Sequence, residues 1–171
     1  MVQANKNYPG QSIKENAWKL ADIEKEFRVQ IETAVRNIPQ VSHISSHMNC
    51  TGLTEEVKSM TTRLAQEYKI DIDLTEHQVM RASYEGVHVT AQEKVESFVA
   101  MLNKLEPGKT YLFVDHPGID GEELRAIHHI GYENVAEDRQ GVTHVFTHSK
   151  VKALIRQKGI QLIGYRDLLR K

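Results

Sequence analysis

Three observations predict an α/β fold with a mainly parallel sheet and helices packed outside it. Helical and extended patterns alternate along the 171 residues, as they do in chains built from strand–helix units. Two helical segments open with a capping box, Ser12-x-x-Glu15 and Thr90-x-x-Glu93. The run Tyr111–Val114 is almost continuously apolar, which is typical of a strand covered on both faces.

Apolar residues spaced three or four apart predict the helices. Gly159 follows the last long one as its expected C′ residue. The predicted helical segments are 12–37, a helix capped by Thr54, a helix capped by Thr90, a short helix over 121–128, a further turn over 134–139, the helix 149–158 and a terminal turn over 165–169.

Short apolar or alternating runs predict the strands, which are Val41–Ser45, Ile70–Leu74, Tyr111–Val114 and Ile160–Ile163. Residues 75–89 show no clear period and are predicted to be a loop. Residues 1–11 are expected to form an irregular lead-in, and residues 12–171 a single α/β domain.

Composition excludes several classes of protein. Hydrophobic residues make up 40% and charged residues 26% of the chain, which fits a globular domain. Lys and Arg number 22 against 23 Asp and Glu, so no basic field is available to hold nucleic acid. The single cysteine, Cys50, excludes a disulfide framework and a multi-cysteine zinc site.

The sequence contains no apolar run near the roughly 20 residues of a membrane span. Its first residues also lack the apolar core of a signal peptide. The expected compartment is therefore the cytoplasm, with the periplasm left open in case the start of the chain is missing or processed.

Two polar clusters follow predicted strands, where α/β folds collect their ligands. One is His47 with Asn49 and Cys50, and the other is Asp115 with His116 in the sequence Asp-His-Pro-Gly. Proline ends strand pairing and glycine permits a sharp turn, so the histidine is expected at the rim of the sheet. In the alternative interpretation, Asp115 caps the next segment and His116 makes an ordinary hydrogen bond.

The remaining histidines carry weaker signals. His43 and His47 are four residues apart on a predicted strand, about 13 Å, too far to share a metal ion, so His43 is expected to be structural. His144 and His148 would share a face only in a helix, and their β-branched neighbours favour an extended segment. These two are expected to be surface or packing residues.

Several short motifs, taken in order, resemble the YdjC-like carbohydrate deacetylases, also called the ChbG/HpnK family. The resemblance runs from Ser12 to Leu169, and it implies an irregular (β/α) barrel that uses a divalent metal to remove acetyl groups from N-acetylated sugars. The motifs are Glu26–Glu32, Pro39, Ser42–His47, His116-Pro117-Gly118, Arg139 and Gly159–Leu168.

The resemblance also implies roles for individual residues. Ser42–His47 matches the family motif T-H-L-D-S-H, which makes His47 a metal ligand, although Ser45 replaces the usual aspartate. His116 matches the histidine of the H-P-G segment, a catalytic acid. Arg139 would orient a carboxylate of the complete site. Apart from the resemblance, Asp115 lies beside His116 in sequence and is the next candidate base if the chain alone proves active. With one imidazole visible, magnesium and zinc both remain candidates and either would be held weakly.

The chain contains no Asp-Asp pair, although the family carries one on an early strand as metal ligand and general base. The sequence thus resembles the C-terminal two-thirds of a deacetylase, expected to be inactive or slow alone. An incomplete barrel would expose sheet edges, which predicts self-association or a partner chain. Two alternatives stay open, namely a non-catalytic sugar-binding or interaction module of the same fold and an unrelated α/β binding domain.

Overall fold

The computed structural model describes residues 2–170. The chain forms two compact units, Met1–Asp73 with Ile163–Lys171 and Leu74–Leu162. The prediction of a single domain over 12–171 is not tested by this division and stays a prediction. Within the described residues, no helix combines the length and the apolar character that crossing a membrane requires.

The first unit is built on two helices, α1 (Leu20–Asn37) and α2 (Glu55–Glu67), which pack against each other. The predicted cap of α2 is confirmed, since the Thr54 hydroxyl accepts the Val57 N–H at 3.3 Å. The predicted apolar face is also confirmed, because Val57, Met60 and Leu64 are buried in the core of the unit. Burial of each such side chain contributes about 1.5–3 kcal/mol.

The start of α1 differs from the prediction. The Glu15 carboxylate accepts from the Ser12 N–H and hydroxyl, as expected of the Ser12 motif. The helix it opens is only one 3₁₀ turn, Ile13–Glu15, and α1 begins at Leu20. The Asn16 side-chain amide donates to the carbonyls of Gly10 and Ser12, both at 2.8 Å, and such local bonds compete with helix continuation.

The predicted strands Val41–Ser45 and Ile70–Leu74 are wrong as strands. Both segments are irregular, and one backbone hydrogen bond joins them, from the Ile72 N–H to the Ser42 carbonyl at 3.5 Å. The expected alternation of burial is present, with Ile70 buried and Asp71 exposed. An alternating pattern of apolar and polar residues therefore indicates that one face of the segment is buried. It does not show that a second segment lies alongside to form a β-ladder.

The second unit contains a β-α-β motif with two parallel strands. Strand β1 (Met80–Ala82) pairs with β2 (Tyr111–Phe113), and helix α3 (Ala91–Lys104) lies between them in sequence. The strand prediction at 111–114 is confirmed over Tyr111–Phe113. The loop predicted over 75–89 is wrong at its centre, where β1 lies. This strand has only three residues and forms because β2 pairs with it. Three residues are too few to show a strand pattern in the sequence.

Three further helices complete the second unit. They are α4 (Glu122–Arg125), α5 (Val135–Thr147) and α6 (Ser149–Gln157). The extended segment expected around His144 and His148 is wrong, since α5 continues through Thr147 and the two rings lie 5.1 Å apart. Val142 and Val145 are fully buried on α5, so packing outweighs the weak helix propensity of β-branched residues.

The chain after α6 also departs from expectation. Gly159 takes the predicted left-handed conformation, with φ of +64°. The strand predicted over Ile160–Ile163 is absent, because residues 161–163 are exposed and unpaired by any ladder. Within the described residues the sheet thus has two parallel strands with helices around them, which is compatible with the predicted α/β class. The terminal turn is confirmed as the 3₁₀ helix Tyr165–Arg170.

Candidate functional site

The predicted site residues fall in both units. His47 belongs to the first unit, and Asp115, His116 and Arg139 belong to the second. The expectation that His47 and His116 converge on one pocket remains a prediction.

His47 lines a pocket of about 430 Å³ in the first unit. The imidazole is exposed and stands at the start of the 3₁₀ segment His47–Gly52. Apolar side chains from the lead-in, α1 and the segment before His47 form much of the wall. The lining residues are Val2, Ile13, Phe27, Gln30, Ile31, Ile44, Ser45, Ser46, His47, Met48, Cys50 and Thr51.

The backbone directly after His47 is strained. Met48 and Asn49 have φ of +53° and +56°, a left-handed conformation that costs about 1–2 kcal/mol for most residues other than glycine and less for asparagine. A Cβ at Gly52 would lie 2.7 Å from the Asn49 side-chain nitrogen, so the Asn49 side chain packs directly against the Gly52 backbone and would have to move to admit a larger residue. Consecutive strained residues beside a pocket are a functional signal that the sequence alone did not reveal.

A metal centre requires several ligands around one point. Within residues 2–170, no three His, Cys, Asp or Glu side chains are grouped closely enough to hold an ion. The pocket offers the His47 imidazole and the Cys50 thiol with three hydroxyl groups. The described residues alone therefore do not form the metal centre that the resemblance implies.

His43 packs as a structural residue. Its ring stacks on the Tyr165 ring, with centroids 3.4 Å apart and planes 3° from parallel. Nδ1 lies 3.4 Å from the Ser42 hydroxyl. Burial lowers the pKa of His43, because removal from water disfavours the charged imidazolium.

Asp115 and His116 follow β2 in the second unit. The Asp115 carboxylate accepts the His116 N–H at 2.8 Å, a local contact of the kind expected if Asp115 acts as a cap. The His116 imidazole is exposed. Burial first, and then the neighbouring Asp115 carboxylate, raise the pKa of Tyr84, whose buried hydroxyl lacks a hydrogen-bond partner of good geometry among the described residues.

Helix α5 holds the turn that carries His116. The Gly118 N–H donates to the Arg139 carbonyl at 3.1 Å, and the Thr143 hydroxyl donates to the Gly118 carbonyl at 2.6 Å. The structure thereby brings Arg139 next to the His-Pro-Gly turn. The buried Nε of Arg139 has no hydrogen-bond partner among the described residues.

Sequence reasoning missed a buried ion pair beside this turn. The Lys94 ammonium lies 2.7 Å from the Asp138 carboxylate, and the Lys94 side chain is only 5% exposed. Asp138 immediately precedes Arg139, but its partner is on α3. The one available signal was a lysine next to the apolar stripe that begins at Val95.

We expect Gly118→Ala to destabilise the second unit by about 1–3 kcal/mol. A Cβ at Gly118 would lie 2.8 Å from Leu124 Cδ2 and 3.1 Å from Arg139 Cβ, so the Leu124 side chain must move and the turn or α5 must yield by a few tenths of an ångström. The matched control is Gly121→Ala, whose Cβ would meet nothing closer than 3.9 Å. Urea unfolding measures both, and equal losses would contradict the close approach at Gly118.

We expect His43 to make stability depend on pH. Its pKa is lowered below the ordinary 6.5 in the folded chain, so the unfolded chain binds the proton more readily. The free energy of unfolding therefore falls as the pH drops through the ordinary value. Unfolding at pH values from about 7.5 to about 5.5 should show a weaker decline in His43→Gln. The control is His47→Gln, which replaces an exposed histidine of the same unit.

Comparisons with known proteins address the fold and the family. No curated protein matches the chain. A solved structure from Enterococcus faecalis V583, described as a candidate cellobiose-phosphate cleavage protein, is 19% identical with a TM-score of 0.62. The alignment covers 94% of this chain and 66% of that chain, and at this identity the likeness concerns the fold alone. The sequence model of the family described as "YdjC-like protein" matches residues 3–157. The chain therefore belongs to the YdjC-like family.

Proposed function

We propose that this chain carries part of the catalytic surface of a carbohydrate deacetylase acting on N-acetylated sugars. The observation that supports this most is the turn after β2, where an exposed His116 is presented by a glycine turn bonded to α5. An exposed imidazole on a fixed turn at the end of a parallel strand is suited to proton transfer. Membership of the YdjC-like family supports the same substrate class.

Amide hydrolysis assigns a separate task to each residue. Water adds to the acetyl carbonyl carbon and gives up a proton to a base, and the C–N bond breaks as the nitrogen gains a proton. His116 would donate that proton to the departing amine. Asp115 is the candidate base in this chain, and Arg139 would orient a carboxylate of the complete site.

The metal remains part of the proposal. When bound, a divalent ion such as Mg²⁺ or Zn²⁺ would lower the pKa of water and polarise the acetyl carbonyl. His47 would be its ligand from this chain. One imidazole is a weak anchor, so we expect weak binding unless further ligands join His47.

The proposal extends to the complete fold, the compartment and the ligand. We infer an irregular (β/α) barrel as the complete architecture, supported by the parallel pairing of β1 with β2 across α3. The compartment proposed is the cytoplasm, and the ligand is a carbohydrate. The Enterococcus faecalis protein is named for the cleavage of cellobiose phosphate, which is also a carbohydrate.

A second candidate function is a sugar-binding or interaction module without catalysis. It is favoured by the lack, within residues 2–170, of a group of three metal-ligating side chains. Such a module would use the pocket beside His47 for binding. It would need neither an acid at His116 nor a base.

The two functions are separated by measuring acetate release and sugar binding together. With N-acetylated chito-oligosaccharides and Zn²⁺ or Mg²⁺, we expect slow acetate release that His116→Asn lowers by about 10²–10⁴-fold, the usual effect of losing a general acid. His129→Asn, at another exposed imidazole of the same unit, is the control. Calorimetric metal titration should show weak binding that His47→Ala removes.

Release unaffected by His116→Asn would contradict the acid assignment. Sugar binding with no release in the presence of metal would favour the module. Tight metal binding that survives His47→Ala would move the metal site elsewhere.

We also propose that the second unit associates with another copy or a partner chain. Its sheet has two strands within the described residues, so each has an edge without a strand beside it. Apolar side chains in the segments that follow the strands in sequence are exposed, among them Val87, Val89, Val114 and Ile119. Sedimentation velocity at low micromolar concentration should show a species heavier than the monomer that Val114→Glu weakens. A monomer at every concentration would count against self-association.

A further inference from the structure

Lys94 is an unusual residue to find buried. It lies on α3 with a relative exposure of 4%, and its ammonium stands 2.7 Å from the Asp138 carboxylate and 5.4 Å from the centre of the Tyr84 ring. A Cβ at Gly141 would lie only 3.1 Å from Lys94 Cδ. The absence of a side chain at Gly141 thus makes the space in which the lysine stem lies.

Burying this charge is costly, and its partner must compensate. Asp138 is held at both oxygens, since Lys94 binds Oδ1 and the Tyr132 hydroxyl donates to Oδ2 at 2.5 Å. These bonds lower the pKa of Asp138 against the opposing effect of burial. The carboxylate is therefore fixed as an anion near the start of α5.

The residues directly after Asp138 bind the turn that carries His116. The Arg139 carbonyl accepts the Gly118 N–H at 3.1 Å. The Gln140 side-chain oxygen accepts the Asp120 N–H at 3.0 Å. One turn further along α5, the Thr143 hydroxyl donates to the Gly118 carbonyl at 2.6 Å.

We propose that Lys94 is a positioning residue. By fixing Asp138 it sets the position of the first turns of α5, and through them the position of the turn that presents His116. This inference rests on the proposed function only in taking His116 as the general acid of deacetylation. In the competing interpretation, the ion pair only joins α3 to α5.

Backbone hydrogen exchange in the full chain separates the two interpretations. Lys94→Met keeps the length of the side chain and removes the charge. We expect exchange at the Gly118 and Asp120 amides to accelerate by about 10-fold or more relative to the slowest amides of α3. The His116 Cε1–Hε1 resonance should move as well. Lys104→Met, which breaks the exposed ion pair with Glu85 on the same helix, should change neither.

A double variant tests whether stability alone explains the effect. Combining Lys94→Met with Asp138→Asn leaves no unpaired buried charge. The thermal midpoint of unfolding should therefore regain much of what Lys94→Met alone loses. We expect fast exchange at Gly118 and the shifted His116 resonance to persist. The positioning role would be overturned if the Gly118 exchange rate and the His116 resonance returned to normal together with the thermal midpoint. It would also be overturned if Lys94→Met alone accelerated amide exchange uniformly across α3.

Tyr132→Phe covers the case in which Lys94→Met does not fold. It frees one oxygen of Asp138 without stranding a charge, and exchange at Gly118 should accelerate by about 3-fold. Unchanged exchange would overturn the proposal. None of these measurements needs acetate release, so failure of the deacetylase proposal and failure of this one are distinguishable.

Discussion

The packing of α3 on α5 is the constraint on which the second unit depends. Gly141 permits the close approach, and the stem of Lys94 lies in the space it leaves. Val145 is fully buried in the same core as Val95 and Phe98. Because α3 also connects the two parallel strands, its contact with α5 ties the sheet to the helix that holds the turn after β2. The turn at Gly118 is thus held by a helix that belongs to the core of the unit.

The electrostatics of this region follow from the same packing. Asp138 and Lys94 are 44 positions apart in sequence and meet only because their helices do. Once they meet, each compensates the burial of the other, and loss of either alone would leave a charge without a partner. Tyr132 completes the arrangement from the chain before α5.

The features of the fold that the sequence predicts correctly are those set by local interactions. The caps at Thr54 and Thr90 are present, the latter as a full capping box. Both depend on a side chain and a backbone group three residues away, so tertiary context was not needed. The apolar stripe of α2 and the run at Tyr111–Phe113 are confirmed for a related reason, since burial follows directly from pattern.

The failures share a different origin. The segments 41–45 and 160–163 have strand-like composition, but a strand exists only where another segment offers a ladder. Conversely, Met80–Ala82 has little strand character and pairs because β2 lies beside it. The C-terminal half of α5 is helical against its propensity because Val142 and Val145 are buried there.

The candidate site divides in the same way. The Asp-His-Pro-Gly turn was visible because proline and glycine restrict the backbone themselves. Arg139 was singled out by resemblance, and the structure supplies a contact, its carbonyl bonded to Gly118. The burial of Lys94 and Tyr84 beside this turn could not be predicted, because the residues that surround them are distant in sequence.

The chemistry of the site links the proposed reaction to the proposed metal. An imidazole at His116 can protonate a departing amine, but it does not activate the water that must attack first. Asp115 precedes His116 in sequence, and one of its oxygens already accepts the His116 N–H. A base engaged in holding its own loop has less freedom to take a proton from water. The proposed deacetylation would therefore require water activation by ligands in addition to the proposed ligand His47, and the proposed acid role of His116 depends on that activation.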